Sequence, residues 1–141
     1  VIKGEIMKIK MDFITNSSSS HHIITSNYLY TKPTSFDNNT LTIQYGCFSW
    51  GYEKYSDYTM KLSYIFSMIG DDIVKTNELK NTIRNFLSMP DLIIELIPDS
   101  DYEFGYIDHQ STDTLDGMPF IEQVEWAFNP NSQLIIDNDN N

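Results

Sequence analysis

The chain has 141 residues, 40% of them apolar and 19 of them aromatic (two Trp, nine Tyr, eight Phe), with a formal charge of −11. That length and aromatic content suit one folded domain, residues 1–141, with its own core, and exclude a disordered chain. The acidic excess disfavours direct binding to nucleic acid or anionic membrane, and the single Cys47 excludes an intrachain disulfide and a multi-cysteine zinc site.

Read in order, Met7, Ile9, Met11 and Phe13 alternate with Lys8, Lys10 and Asp12, the period of a half-buried strand. Thr15 to Ser20 breaks it with side chains that favour turns. A second extended run covers Ile23 to Tyr30, and Pro33 to Asn39 reads as a loop. Leu41, Ile43 and Tyr45 alternate with Thr40, Thr42 and Gln44 as a third strand, and Gly46 to Gly51 is irregular. From about Glu53 the spacing of Tyr55, Tyr58, Leu62, Ile65, Phe66 and Ile69 predicts an amphipathic helix stopped by Gly70. Thr76 is expected to cap a second helix that ends near Met89, before Pro90.

Leu92–Ile97 and Phe104–Ile107 read as two strands of a hairpin about the Asp99–Tyr102 turn. Pro119 suits the first turn of a third helix, with Phe120, Ile121, Val124 and Phe128 on one face, and Leu134–Ile136 is a last strand. Grouped strands and grouped helices give α+β, a mostly antiparallel sheet of about five to six strands packed with about three helices. Met7 is a plausible start, which would make residues 1–6 an upstream extension. Residues 137–141 form a polar terminus expected to fray.

The charge is unevenly placed. The first 90 residues hold eight acids and nine bases, whereas Asp91 to Asn141 hold twelve carboxylates and no Lys or Arg. Carboxylates gathered on one side of a small domain can imitate the phosphate array of duplex DNA, one charge about every 1.7 Å of axis. The expected partner is therefore a basic protein surface, and the expected contacts are Asp99, Asp101, Glu103, Asp113, Asp116, Glu122 and Glu125.

A different chemistry is conceivable where two strands end. Asp108 and His109 follow one strand, and Asp137 and Asp139 close another. If those strands are neighbours, the four side chains form an oxygen-rich site for a divalent metal ion, and a phosphoester hydrolase becomes the alternative reading. Ser17 to Ser20 with His21 and His22 lack the G-x-S-x-G elbow of a serine hydrolase and the glycines of a phosphate loop. Six aromatics between Tyr45 and Tyr58 fit core packing or a protein-binding face better than base stacking, because only Lys54 lies among them.

Met7-Lys8-Ile9-Lys10-Met11-Asp12-Phe13-Ile14-Thr15-Asn16-Ser17-Ser18-Ser19-Ser20 resembles the F-[VI]-[ST]-N-S-S-S-S opening of small uncharacterised proteins from phages and bacterial mobile elements. The stretch Ile107 to Ser111 and the closing residues Phe128 to Asp139 are similar to later parts of some of them. His21 departs from that pattern, in which a serine and then an aromatic are usual. The resemblance implies a phage or prophage source and a bacterial cytoplasm as location, and it brings no catalytic role. Charge and resemblance together predict a non-enzymatic, anti-CRISPR-like inhibitor that blocks the nucleic-acid-binding surface of a host defence nuclease and needs no cofactor. A virion-associated structural protein working through its aromatic face is the third reading.

Overall fold

The computed structural model describes residues 8–12, 20–25, 32–48, 52–107, 115 and 117–137, and of residues 8–12, 20–22, 25, 52 and 137 it describes the backbone only. The fold is α+β, with eight strands and three helices among the described residues. Its strands do not form one antiparallel sheet. They divide into an antiparallel sheet of four and two parallel pairs, which lie end to end as one ribbon.

The antiparallel sheet joins the two ends of the chain. β1 (Lys8–Asp12) pairs with β2 (Ser20–Thr25). β8 (Gln133–Asp137) then inserts between β2 and β5 (Tyr52–Tyr55), giving the order β1-β2-β8-β5. Alternation along β8 places its buried residues on one side. Ile23, Leu134 and Ile136 are buried and drive one face onto the helices.

The parallel ribbon overturns two expectations. β3 (Thr40–Gln44) runs parallel to β6 (Ile93–Ile97), and β4 (Cys47–Phe48) runs parallel to β7 (Tyr106–Ile107). Two backbone bonds connect the ladders: Tyr45 N–H donates to the Ile97 carbonyl and Tyr106 N–H to the Gly46 carbonyl, both at 2.9 Å. β3 and β4 thus follow one another along a single stretch of chain, residues 40–48. Its partner is a single strand interrupted between Ile97 and Tyr106. The hairpin expected of Leu92–Ile97 and Phe104–Ile107 does not form, because the chain leaves the ladder, turns and rejoins the same neighbour in the same direction. Parallel pairing needs a long crossover, and the two helices between β5 and β6 lie within it.

Helix α1 (Tyr58–Ile69) starts later than the expected Glu53. Tyr52–Tyr55 instead pairs with β8 and joins the sheet. Asp57 then caps the helix, its carboxylate accepting from the Met60 N–H at 3.3 Å and from the Thr59 hydroxyl. Gly70 ends it at φ 70. Helix α2 (Ile73–Leu87) starts earlier than expected, because Asp72 is the cap and accepts from the Lys75 N–H at 3.1 Å. Thr76 lies inside the helix, buried, its hydroxyl donating to the Asp72 carbonyl. Helix α3 (Phe120–Ala127) buries Val124 and Trp126, whereas Ile121, assigned to that face from its spacing, is 45% exposed.

The core lies between these layers. Leu62, Ile65 and Phe66 of α1 meet Leu79 and Ile83 of α2 and Leu41 and Ile43 of β3 in one cluster. The aromatic run packs inward where it is described, with Phe48 edge-on to both Tyr55 and Tyr64 at ring-centre distances of 5.9 and 5.2 Å. At the centre sits Lys61, with no exposed surface. Its ammonium donates to the carbonyls of Trp126, Asn129 and Ser132 at 3.3, 2.8 and 3.0 Å. A cation thereby neutralises the negative end of α3 and the turn that follows it. Burial pulls the ammonium down to about 8, and the charge on Asp57 acts in the opposite sense.

Candidate protein-binding surface

The interruption of the β6–β7 strand spans residues 98–105 and is closed on itself. Asp99 N–H donates to the Glu103 carbonyl at 3.2 Å and Gly105 N–H to the Tyr102 carbonyl at 2.7 Å. Asp99 organises the turn: one of its oxygens accepts from the N–H groups of Asp101 and Tyr102 at 2.9 and 3.1 Å. These bonds hold the Asp99 carboxyl below its ordinary value. The Cys47 thiol approaches the same oxygen at 3.5 Å, and burial, the Asp99 bond and the acidic charges beside it push the thiol up. These contacts favour the neutral thiol over the thiolate that a nucleophile needs.

Closing the turn through the backbone of 99–105 sends the remaining side chains outward. Asp101 and Glu103 are exposed, and between and beside them Tyr102, Phe104 and Tyr106 also stand in solvent. The Tyr102 and Tyr106 rings lie together at 5.3 Å, and Phe104 meets Tyr45 edge-on at 5.7 Å. Large apolar side chains clustered at the surface of a small domain mark a contact site more often than scattered ones do. No Lys or Arg lies within the excursion.

The excursion forms one wall of a cleft of about 260 Å³. Its apolar lining is Tyr45, Ile73, Leu96, Pro98 and Phe104. Asp71 and Glu103 lie at this cleft with Lys80, whose ammonium burial and neighbouring Arg84 pull below its ordinary value. Ile73, in the first turn of α2, is 67% exposed. Because Asp72 rather than Thr76 caps α2, an extra helical turn carries Ile73 to this wall.

The expected contacts divide into three sets. Asp99, Asp101 and Glu103 share the excursion, with Asp99 partly committed to holding its shape. Glu122 and Glu125 stand on α3, a separate element. Asp113 and Asp116 lie outside the described residues. Of the metal quartet, Asp108, His109 and Asp139 also lie outside them, and Asp137 ends β8. The adjacency that reading requires is not found among the described residues, since β7 pairs with β4 and β8 pairs with β2 and β5. Among the described residues, no three His, Cys, Asp or Glu side chains are grouped to hold a metal ion, and no helix is long and apolar enough to cross a membrane.

Sequence reasoning missed the apolar half of this surface. Phe104 reads as the start of a strand, and Ile73 falls between the two expected helices. The available signal was the D-S-D-Y-E-F order itself, acids and aromatics mixed without a base. No family model matches the chain, nor does any curated protein or solved structure.

Proposed function

We propose that this chain is a non-enzymatic binding protein whose acidic, aromatic excursion occupies the basic nucleic-acid-binding surface of another protein. The supporting observation is the closed excursion at 98–105, which presents Asp101 and Glu103 with Tyr102 and Phe104 beside the exposed Tyr106 of β7. Carboxylates supply long-range attraction to a basic groove and exclude nucleic acid from it. Aromatic side chains supply contact area that a phosphate array lacks. No covalent step is involved.

The resemblance of the N-terminal segment makes a host defence nuclease the target class to test first. The test is competition. A basic partner retained on the immobilised chain at low salt should be released by duplex or guide nucleic acid, and the chain should in turn displace nucleic acid from that partner. A partner that binds both at once, or no retention of basic proteins at low salt, would refute the proposal.

A further inference from the structure

We infer that the cleft between the excursion and the start of α2 receives one apolar side chain of the partner, carried on a segment rich in Lys and Arg. The inference rests on the binding function proposed above and specifies the chemistry of the occupant.

Size comes first. A cleft of about 260 Å³ falls below the roughly 300–1,000 Å³ typical of sites that enclose a drug-sized ligand. It suits a side chain. Polarity comes next. Five of the lining residues, Tyr45, Ile73, Leu96, Pro98 and Phe104, offer apolar atoms. The Lys80 ammonium at the same cleft repels a guanidinium or ammonium seated deep within it, so the inserted group is neutral and apolar. A phosphate guest is opposed by Asp71 and Glu103.

The surroundings then decide what flanks the anchor. Asp71 and Glu103 line the cleft, and Asp101 lies two residues from Glu103 on the same turn. An inserted side chain whose neighbours are Lys or Arg places its cations against these carboxylates. A second copy of the chain is a poor occupant, since each carries a formal charge of −11 and would bring acid against acid. Apolar insertion with a charged rim is the usual division of labour in protein interfaces.

Three peptides test this by titration against the intact protein at low salt: one leucine flanked by two arginines on each side, the same peptide with serine for leucine, and the leucine peptide with glutamates for arginines. The leucine–arginine peptide should bind about tenfold or more tighter than the serine–arginine peptide, and the glutamate peptide should not bind. Phe104→Ala should abolish the preference for leucine over serine while leaving the serine–arginine affinity within about twofold. Ile73→Ser, at a second exposed position, should do the same and guards against a folding defect in either variant.

Equal affinity for the leucine and serine peptides, unchanged by Phe104→Ala, would overturn the cleft as anchor site yet leave the acidic binding function intact. Failure of both arginine peptides, together with no retention of basic proteins, would overturn the binding function itself. Concentration-dependent dimerisation abolished by Phe104→Ala would assign the cleft to a second copy and also overturn the inference.

Discussion

Lys61→Met should destabilise the fold by about 3–5 kcal/mol, the range for breaking a buried charged interaction from one side. Methionine fits the volume of the lysine stem but donates nothing. The carbonyls of Trp126, Asn129 and Ser132 would then face one another, buried, without the ammonium that now joins them. The loss falls where α3 passes into β8, so it loosens the central strand of the antiparallel sheet together with the helix. Urea unfolding measures it, and a variant as stable as the parent would contradict the assignment.

The same side chain has a pH signature. Its folded value of about 8 lies below the ordinary 10.5. Between those values the unfolded chain holds a proton that the folded chain has released, so unfolding takes up a proton and stability rises with pH. The slope reaches up to about 1.4 kcal/mol per pH unit, and the neutral amine still donates two N–H bonds. Tyr45, Tyr55, Tyr58 and Cys47 are all shifted upward, which works in the opposite sense at higher pH. The difference between parent and Lys61→Met cancels those groups. That difference should grow in the parent's favour from pH 8 to 10, and a flat difference would contradict the buried ammonium.

Gly105→Ala should cost about 2–4 kcal/mol and displace the excursion, by adding backbone strain to a steric overlap. Gly105 has φ 78, a conformation that side chains rarely adopt. A Cβ there would lie 2.5 Å from Ser67 Oγ and 2.7 Å from the Gly46 carbonyl oxygen. The serine cannot simply rotate away, because its hydroxyl accepts from the Gly46 N–H at 3.1 Å. Nor can the carbonyl, which holds the Tyr106 N–H and thereby returns the chain to its ladder. Gly70 supplies the control: its φ is 70, but beyond its own chain neighbours no atom lies within 4 Å of its would-be Cβ. Gly70→Ala should therefore carry the backbone strain of φ 70, ψ −130 alone, about 1–3 kcal/mol, and leave the excursion in place. Urea unfolding and amide exchange at Tyr106 would show the difference, and equal costs at the two glycines would refute the close approach.

Local pattern reached much of this fold and little of its surface. Alternation placed β1 and β3, and the spacing of Leu62, Ile65, Phe66 and Ile69 placed α1, because each pattern is local to one element. The caps were less legible: Asp57 and Asp72 each precede their helix by one residue, whereas aromatic spacing extends the first helix back towards Glu53 and Thr76 is itself a residue type that caps helices. The β6–β7 relation was out of reach for a deeper reason. A turn of Asp, Ser, Asp and Tyr closes a hairpin or an excursion equally well, and which one forms is decided by whether the returning strand meets its own predecessor or a neighbour 60 residues away. The Tyr45 and Gly46 bonds to Ile97 and Tyr106 settle that, and they are tertiary. The acids of the excursion were legible as charge. Their apolar companions were not, because Ile73 reaches the surface site only through the packing of α2 beside the turn.

The most direct measurement compares two charge reversals of equal size in a salt series. β3 and β6 are parallel, so their C-terminal ends lead to the excursion and their N-terminal ends to Asp37 and Asp91, both exposed. Asp101→Lys with Glu103→Lys, and Asp37→Lys with Asp91→Lys, change the net charge identically at opposite ends of the ribbon. A localised site predicts that the first pair weakens binding of a basic nucleic-acid-binding protein at least about tenfold and flattens its salt dependence, while the second changes affinity less than about threefold. Equal losses from the two pairs would show that only total charge matters and would contradict a binding surface at the excursion.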